Sequence, residues 1–249
     1  MAEHGIIYCN AASACTESVA DAAIFLILSL YRSFAWSLNA AHSCDAAQFK
    51  DAQSNIAAVT HNPNNSTLGI VGLGRIGYRI AQKAAKSFDM KILYYDVVRI
   101  AEREGDIGAT YCATMGELLA KSDCVVLATP FGGDVLLGPN EFKQFKKGAK
   151  LINIARGKLI DESALIKAMD EGIIGAAGLD VHQDEPHVSK DLAARRNVTM
   201  LSHTAGASVE SHIGFEKLGM ENLLGWLAQG EKGLKSPVNL QWLKREAKL

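Results

Sequence analysis

The sequence predicts an α/β fold, a doubly wound parallel sheet, on three observations. Short β-rich runs alternate with helix-like stretches from residue 68 onward, the runs are nearly continuously apolar, and the first of them ends in a glycine-rich turn that opens a helix. The alternation calls for parallel strands joined by crossovers, and unbroken apolarity calls for helices on both faces of the sheet. At 249 residues, with 48% apolar and 21% charged side chains, the chain has ample material for a core.

In chain order, the longest apolar run, residues 22–31, is bounded by Asp21 and Arg32. It falls far short of the roughly 20 residues a bilayer helix needs, so no membrane partner is expected. Residues 18–35 are apolar on nearly every side, which predicts one helix wedged between two bodies. Residues 61–67, rich in Asn with one Pro, read as a loop. Strands are predicted at 68–71, 91–95, 124–128, 150–155, 176–181 and 197–201. Asp161 is placed to cap a helix over 162–171, on which Leu165, Ile166 and Met169 share a face and which Gly172 stops. Residues 210–229 form a long amphipathic pattern ending at Gly230, and 236–249 are polar enough for a peripheral tail.

Composition excludes several classes of function. The formal charge is −1 and no segment gathers lysine and arginine, so no nucleic acid partner is expected; lysines 143, 146, 147 and 150 read as a wet face. The opening Met-Ala-Glu-His-Gly lacks the basic start and apolar stretch of a secretory signal, which makes a cytoplasmic location the default. Five cysteines (Cys9, Cys15, Cys44, Cys112 and Cys124) are irregularly spaced with no pair two residues apart. They suggest reduced thiols, with neither a disulfide framework nor a zinc site.

Residues 68–77 read LGIVGLGRIG and place GxGxxG at a strand-to-helix junction, the pattern of a Rossmann-type dinucleotide site. Gly72 permits the tight turn, Gly74 lets backbone N–H groups approach a pyrophosphate, and Gly77 lets helix and strand pack closely. The helix start adds partial positive charge. Asp96, nineteen residues past Gly77, ends the second strand, where its carboxylate can accept hydrogen bonds from ribose hydroxyls and would repel a 2′-phosphate. NAD is therefore favoured over NADP, although Arg99 could serve the phosphorylated cofactor if it swung inward. A methyltransferase also uses a glycine-rich turn with an acidic strand end, so the chemistry has to be read elsewhere.

Three further motifs carry a family resemblance: Asn153-Ile154-Ala155-Arg156-Gly157 leading to Asp161-Glu162, Gly178-Leu179-Asp180-Val181 with Glu185-Pro186, and His203-Thr204-Ala205-Gly206. With the glycine run they resemble the D-isomer-specific 2-hydroxyacid dehydrogenases, which interconvert 2-keto and 2-hydroxy acids with a nicotinamide cofactor. The resemblance implies Arg156, Glu185 and His203 as catalytic residues. His203 as imidazolium would give a proton to the developing alkoxide, and Glu185 would orient the ring and favour its charged form. Arg156 offers a planar fork of donors to the substrate carboxylate and carbonyl. Taken singly, each has an ordinary reading, as a surface ion pair, a turn residue before Pro186 and a packed strand-end histidine. Their convergence just beyond the carboxyl ends of predicted strands favours catalysis. The resemblance further implies that Ala155, Asp180, Thr129 and Pro130 line the cofactor and that Arg75 and Ile76 lie over the pyrophosphate. The cluster His182, Asp184, Glu185 and His187 reads as a solvated loop, with no metal expected.

Family members have a substrate lobe built from the N-terminal part and completed by the C-terminal helix. This chain is expected to carry only a remnant of it, in residues 1–16 with a returning segment at 223–249 around an NAD-binding domain at 17–222. Most of that lobe is expected to be missing, which would open the pocket to water. Residues 40–55 resemble the family's extended arm and, with the apolar helix before them, imply a homodimer. Smaller departures are Ser202, where relatives commonly have proline, and Phe131-Gly132-Gly133 in a usually more polar loop. The leading expectation is an NAD-linked oxidoreductase, in a shortened form, acting on a small 2-keto/2-hydroxy acid. The competing one is an inactive NAD-binding dimer serving as scaffold or sensor.

Overall fold

Each predicted strand forms, because a short run of apolar residues with both faces covered is stable only inside such a sheet. A computed structural model describes residues 2–242 and contains β1 (Thr67–Val71), β2 (Lys91–Tyr95), β3 (Thr110–Tyr111), β4 (Cys124–Leu127), β5 (Ala149–Asn153), β6 (Ile174–Leu179) and β7 (Val198–Met200). All are parallel, in the order β3-β2-β1-β4-β5-β6-β7. The two-residue edge strand β3 is the one the sequence pattern does not mark. Predicted and observed ends otherwise differ by one or two residues, as ends commonly do.

The helices are α1 (Thr16–Arg32), α2 (Phe34–His42), α3 (Ala46–Asn55), α4 (Arg75–Phe88), α5 (Ala101–Ile107), α6 (Met115–Lys121), α7 (Pro139–Phe142), α8 (Glu162–Asp170), α9 (Lys190–Ala193) and α10 (Val209–Gln229). Val19–Ala205 forms one compact unit, and the described parts of Met1–Ser18 and Gly206–Leu249 form another. Among the described residues no single helix is long and apolar enough to cross a membrane.

The helix expected at 18–35 breaks. Ser33 takes a left-handed conformation at φ 51°, and α2 leaves α1 at 81°. The Tyr31 carbonyl, which a continuing helix would use, instead accepts the N–H of His61 at 2.9 Å. Residues 40–55, expected as an extended arm, are mostly helical: the Asp45 carboxylate accepts the N–H groups of Ala47 and Gln48 at 2.7 and 3.0 Å and starts α3. Leu26 of α1 packs where a Cβ on Gly178 of β6 would stand 3.3 Å away, and Ser29 shares a buried 2.7 Å hydrogen bond with Thr199 of β7. Asp161 caps α8 as expected, accepting from Ser163 and Ala164.

In the other unit, Ser208 caps α10 and Gly230 ends it. Its buried side is polar: Ser211 and Asn222 are enclosed while Ile213, Met220, Leu223, Leu224 and Leu227 are exposed. Asn222 is enclosed because its amide accepts the Lys235 and Ser236 N–H groups and donates to the Ser236 hydroxyl. The polar tail expected at 236–249 is therefore anchored at its start, with Asn239 accepting from Tyr8 N–H at 2.7 Å and donating to the Ile6 carbonyl at 2.9 Å. The rest of that segment, 243–249, lies outside the described residues.

α4 and the turn after β1 approach each other closely. Gly72, at φ 95°, makes the turn, and a Cβ on Gly77 would collide with the Gly72 carbonyl oxygen. Gly77→Ala should therefore cost about 1–3 kcal/mol, the usual range for forcing extra volume into a packed site. Urea unfolding measures this, and an unchanged midpoint would contradict the packing.

Candidate functional site

Strand order reverses between β1 and β4, and in open α/β sheets ligands bind outside the carboxyl ends of strands at such a point. The glycine turn occupies it. Its backbone is fixed from both sides, with Gly72 N–H donating to the Tyr95 carbonyl at 2.8 Å and Ala128 N–H donating to Val71 at 2.9 Å. Gly74 caps the fourteen-residue α4, is exposed, and has no atom within 4 Å of where a Cβ would stand. Arg75 is exposed and Ile76 half-buried beside it, while Thr129 and Pro130 follow β4 on the same edge.

Asp96 ends β2 with its carboxylate held at both oxygens, by Leu73 N–H at 2.8 Å and Val97 N–H at 2.8 Å. Each oxygen keeps a second lone pair for an incoming hydroxyl. Arg99 does not swing inward: Glu104 takes its guanidinium through two 2.8 Å bonds and also accepts the Tyr94 hydroxyl. Those contacts hold the Glu104 carboxyl down at about 2. An open glycine face, a helix start and the Asp96 carboxylate, with Arg99 taken up by Glu104, fit the pyrophosphate and ribose of NAD. Arg103, which the sequence did not single out, donates to the Leu73 carbonyl at 2.6 Å and stacks on Tyr78 at 5.0 Å, bracing the turn.

The three candidate catalytic residues follow β5, β6 and β7, which are neighbours in the sheet. His203 Nδ1 lies 2.8 Å from Glu185 Oε2, with side chains 47% and 36% exposed. The other carboxylate oxygen of Glu185 accepts the His182 N–H at 2.9 Å. Burial opposes ionisation of Glu185, but that N–H and the His203 ring outweigh it, and the carboxyl sits below its usual range. His203 has a left-handed backbone at φ 57°, fixed by its N–H to the Asp180 carbonyl at 2.8 Å. Asp180 itself is 2% exposed and accepts from Thr204 and Ala205 N–H at 2.9 and 3.0 Å, so its carboxylate clamps the histidine loop.

Arg156 is exposed, with Nη1 donating to the buried Ala155's carbonyl at 2.6 Å. Two buried groups beside the site were not assigned roles from sequence. Asn153 donates to the Arg156 carbonyl at 2.9 Å and accepts Ala155 N–H at 3.0 Å, shaping the loop that carries the arginine. His182, read as part of a solvated cluster, is buried at 5%, its Nε2 2.8 Å from the Leu201 carbonyl. Asp184 and His187 are exposed, and the backbones at Gly157 and His182 meet so closely that a Cβ on Gly157 would strike the His182 carbonyl. An Asn at a strand end before Ala-Arg-Gly was the available signal for the first. Nothing in the sequence marked the second. Among the described residues no group of three or more His, Cys, Asp or Glu is placed to hold a metal ion.

Residues 24–205 match the family model of the D-isomer specific 2-hydroxyacid dehydrogenase NAD binding domain. The chain belongs to this family. A 2-hydroxyacid dehydrogenase relative, the glyoxylate reductase of Thermococcus gammatolerans, is 36% identical over 89% of this chain and 66% of its own length. The apo D-mandelate dehydrogenase of Rhodotorula graminis superposes with a TM-score of 0.90 at 37% identity, covering 94% of this chain and 68% of that one. The D-lactate dehydrogenase of Aquifex aeolicus, solved with NAD and lactic acid, has a TM-score of 0.79 at 26% identity over 94% and 71%. The chain thus spans about two thirds of the length of the family members it matches. NAD is the cofactor of the matched domain.

The lowered Glu185 carboxyl adds stability at neutral pH that is lost as pH falls through its depressed value. Glu185→Gln removes that contribution. The difference in melting temperature between the two forms should be widest near neutrality and shrink on acidification; a gap independent of pH would contradict the assignment.

Proposed function

We propose that this chain catalyses NAD-linked interconversion of a 2-keto acid and its D-2-hydroxy acid, with Arg156, Glu185 and His203 as the catalytic residues. The observation that carries the proposal is the 2.8 Å His203–Glu185 pair beside the Arg156 loop, on three neighbouring strand ends of an NAD-binding domain. The relatives named as glyoxylate reductase and as D-mandelate and D-lactate dehydrogenase favour this over an inactive scaffold.

Bound NAD(H) supplies or accepts the hydride. Everything else is done by side chains. Arg156 pairs its guanidinium fork with the substrate carboxylate, which orients the keto carbon. His203 gives its Nε2 proton to the carbonyl oxygen in reduction and takes it back in oxidation. Glu185, bound at Nδ1, fixes the ring so that Nε2 faces the substrate, and its ionised form stabilises the imidazolium. Asp180 and Asn153 position the two loops through backbone N–H and carbonyl groups. Asp96 and the turn at Gly72, Gly74 and Gly77 hold the adenosine half and pyrophosphate, with Arg75, Ile76, Thr129, Pro130 and Ala155 lining the cofactor.

A homodimer through α1–α3 is part of the proposal, supported by Phe25, Phe34, Leu38 and Phe49, which expose large apolar side chains there. A cytoplasmic location is supported by five free cysteines.

Oxidation of NADH by the purified chain with glyoxylate, pyruvate, hydroxypyruvate and benzoylformate is the direct test. Cofactor binding with no turnover on any of them would refute catalysis by this chain. Where turnover is found, His203→Asn should lower kcat by about 10²–10⁴ while NADH affinity, read by fluorescence, stays the same. Asp96→Ala should weaken NAD binding and narrow the preference over NADP; an unchanged ratio would argue against the ribose contact.

A further inference from the structure

His182 meets all three loops that carry Arg156, Glu185 and His203, and all of these lie within Val19–Ala205. Its main-chain N–H donates to Glu185 Oε1 at 2.9 Å, and its ring Nε2 lies 2.8 Å from the Leu201 carbonyl. Its own carbonyl stands where a Cβ on Gly157, the residue after Arg156, would strike it. With the residue 5% exposed, water hardly competes for the bond to Leu201.

Residues 201–205 are tied to the end of β6 partly by main chain and partly by side chain. Leu201 N–H donates to the Leu179 carbonyl and His203 N–H to the Asp180 carbonyl, each at 2.8 Å, and those bonds are open to any residue with a backbone N–H. The Asp180 carboxylate holds Thr204 and Ala205 on one side of His203, and the His182 ring holds Leu201 on the other. Between these two anchors His203 keeps its left-handed backbone at φ 57°, a conformation that costs energy in a residue other than glycine and lasts only where its surroundings impose it. A carbonyl oxygen can only accept, so Nε2 of His182 carries a proton and donates. Ring and main chain of one residue thus reach both partners of the 2.8 Å pair: Nε2–H holds the chain two residues before His203, and N–H holds the carboxylate that meets His203 Nδ1.

We propose that His182 is a positioning residue for the Glu185–His203 pair, its Nε2–H acting through Leu201 to keep the His203 ring on the Glu185 carboxylate. The effect on turnover rests on the proposed reaction. The effect on the His203 ring rests on hydrogen-bond geometry alone.

Ring ¹⁵N chemical shifts of the histidine-labelled full chain, compared at one pH, test this without turnover. His203 in the unaltered chain should show a protonated Nδ1, because the partner of one ring nitrogen decides where the proton sits. His182→Phe keeps an aromatic ring and removes the donor, and the Nδ1–H signature of His203 should then be lost. His182→Gln keeps an N–H donor near the place of Nε2 and should preserve it. With a 2-keto acid that the chain reduces, His182→Phe should lower kcat about tenfold or more and His182→Gln about threefold or less, with NADH affinity the same in both. An unchanged His203 signature in His182→Phe would overturn the proposal, as would its loss in a His182→Gln variant that still melts cooperatively. His182→Asn, whose amide is too short to reach Leu201, takes the place of His182→Phe if that variant does not fold. The unaltered chain adds a check free of any variant: an unprotonated Nε2 on His182 would overturn the proposal. Absence of turnover, with the His203 signature lost in His182→Phe and kept in His182→Gln, would refute the proposed reaction and uphold the positioning role.

Discussion

The turn after β1 and the first turn of α4 pass so close at Gly77 that one added methyl would strike the Gly72 carbonyl, and much of the cofactor wall follows from that contact. It sets α4 with its free N–H groups at the strand-order reversal, where charge on a bound pyrophosphate meets the positive end of the helix. The same turn presents Leu73 N–H to Asp96 and the Leu73 carbonyl to Arg103. The Asp96 carboxylate, the glycine turn and Arg103 are thereby one hydrogen-bonded body. A shift in any of them would move the others.

The edge that carries Arg156, Glu185 and His203 is held in a similar way by different groups. Asp180, Asn153 and His182 are buried polar residues whose side chains bond backbone beside those three: Asp180 to 204 and 205, Asn153 to 155 and 156, His182 to 201, while the His182 N–H also meets the Glu185 carboxylate. A reciprocal pair between Glu162 and Gln183, each accepting the other's backbone N–H at 2.9–3.0 Å, ties the start of α8 to the glutamate loop. Loops positioned in this way hold exposed side chains in place without packing them, which suits groups that must meet a substrate.

The parallel sheet, the glycine turn and the strand-end placement of Asp96, Arg156, Glu185 and His203 were legible in the sequence, because each depends on local pattern: apolar runs, glycines at fixed spacing, polar residues at strand ends. What was not legible depends on distant partners. The break at Ser33 follows from the Tyr31 carbonyl being taken by His61, which lies in a loop nearly thirty residues on. Two-residue β3 is too short to carry periodicity and exists because Leu93 and Tyr94 of β2 offer it an edge. His182 is buried with its ring on the Leu201 carbonyl and its backbone against Gly157, both distant in sequence, and Asp180, read as a cofactor contact, uses one carboxylate oxygen to hold residues 204 and 205.

Glu185 and His203 stand side by side yet remain reachable by water, and this bears on how their interaction works. Near an exposed surface a charge pair is strongly screened, and excluding water raises the same interaction several-fold at unchanged distance. The backbone N–H of His182 holds one Glu185 carboxylate oxygen while the other faces His203 Nδ1, so the acceptor is fixed from a second side that does not depend on the ring. In the proposed reaction Glu185 would therefore keep its place while a proton moves at Nε2, the far side of the imidazole. A reversible proton transfer calls for that separation between the group that holds the ring and the atom that carries the proton. Any event that shields the pair from solvent would strengthen their attraction at the moment the imidazolium forms or is consumed, without moving either residue.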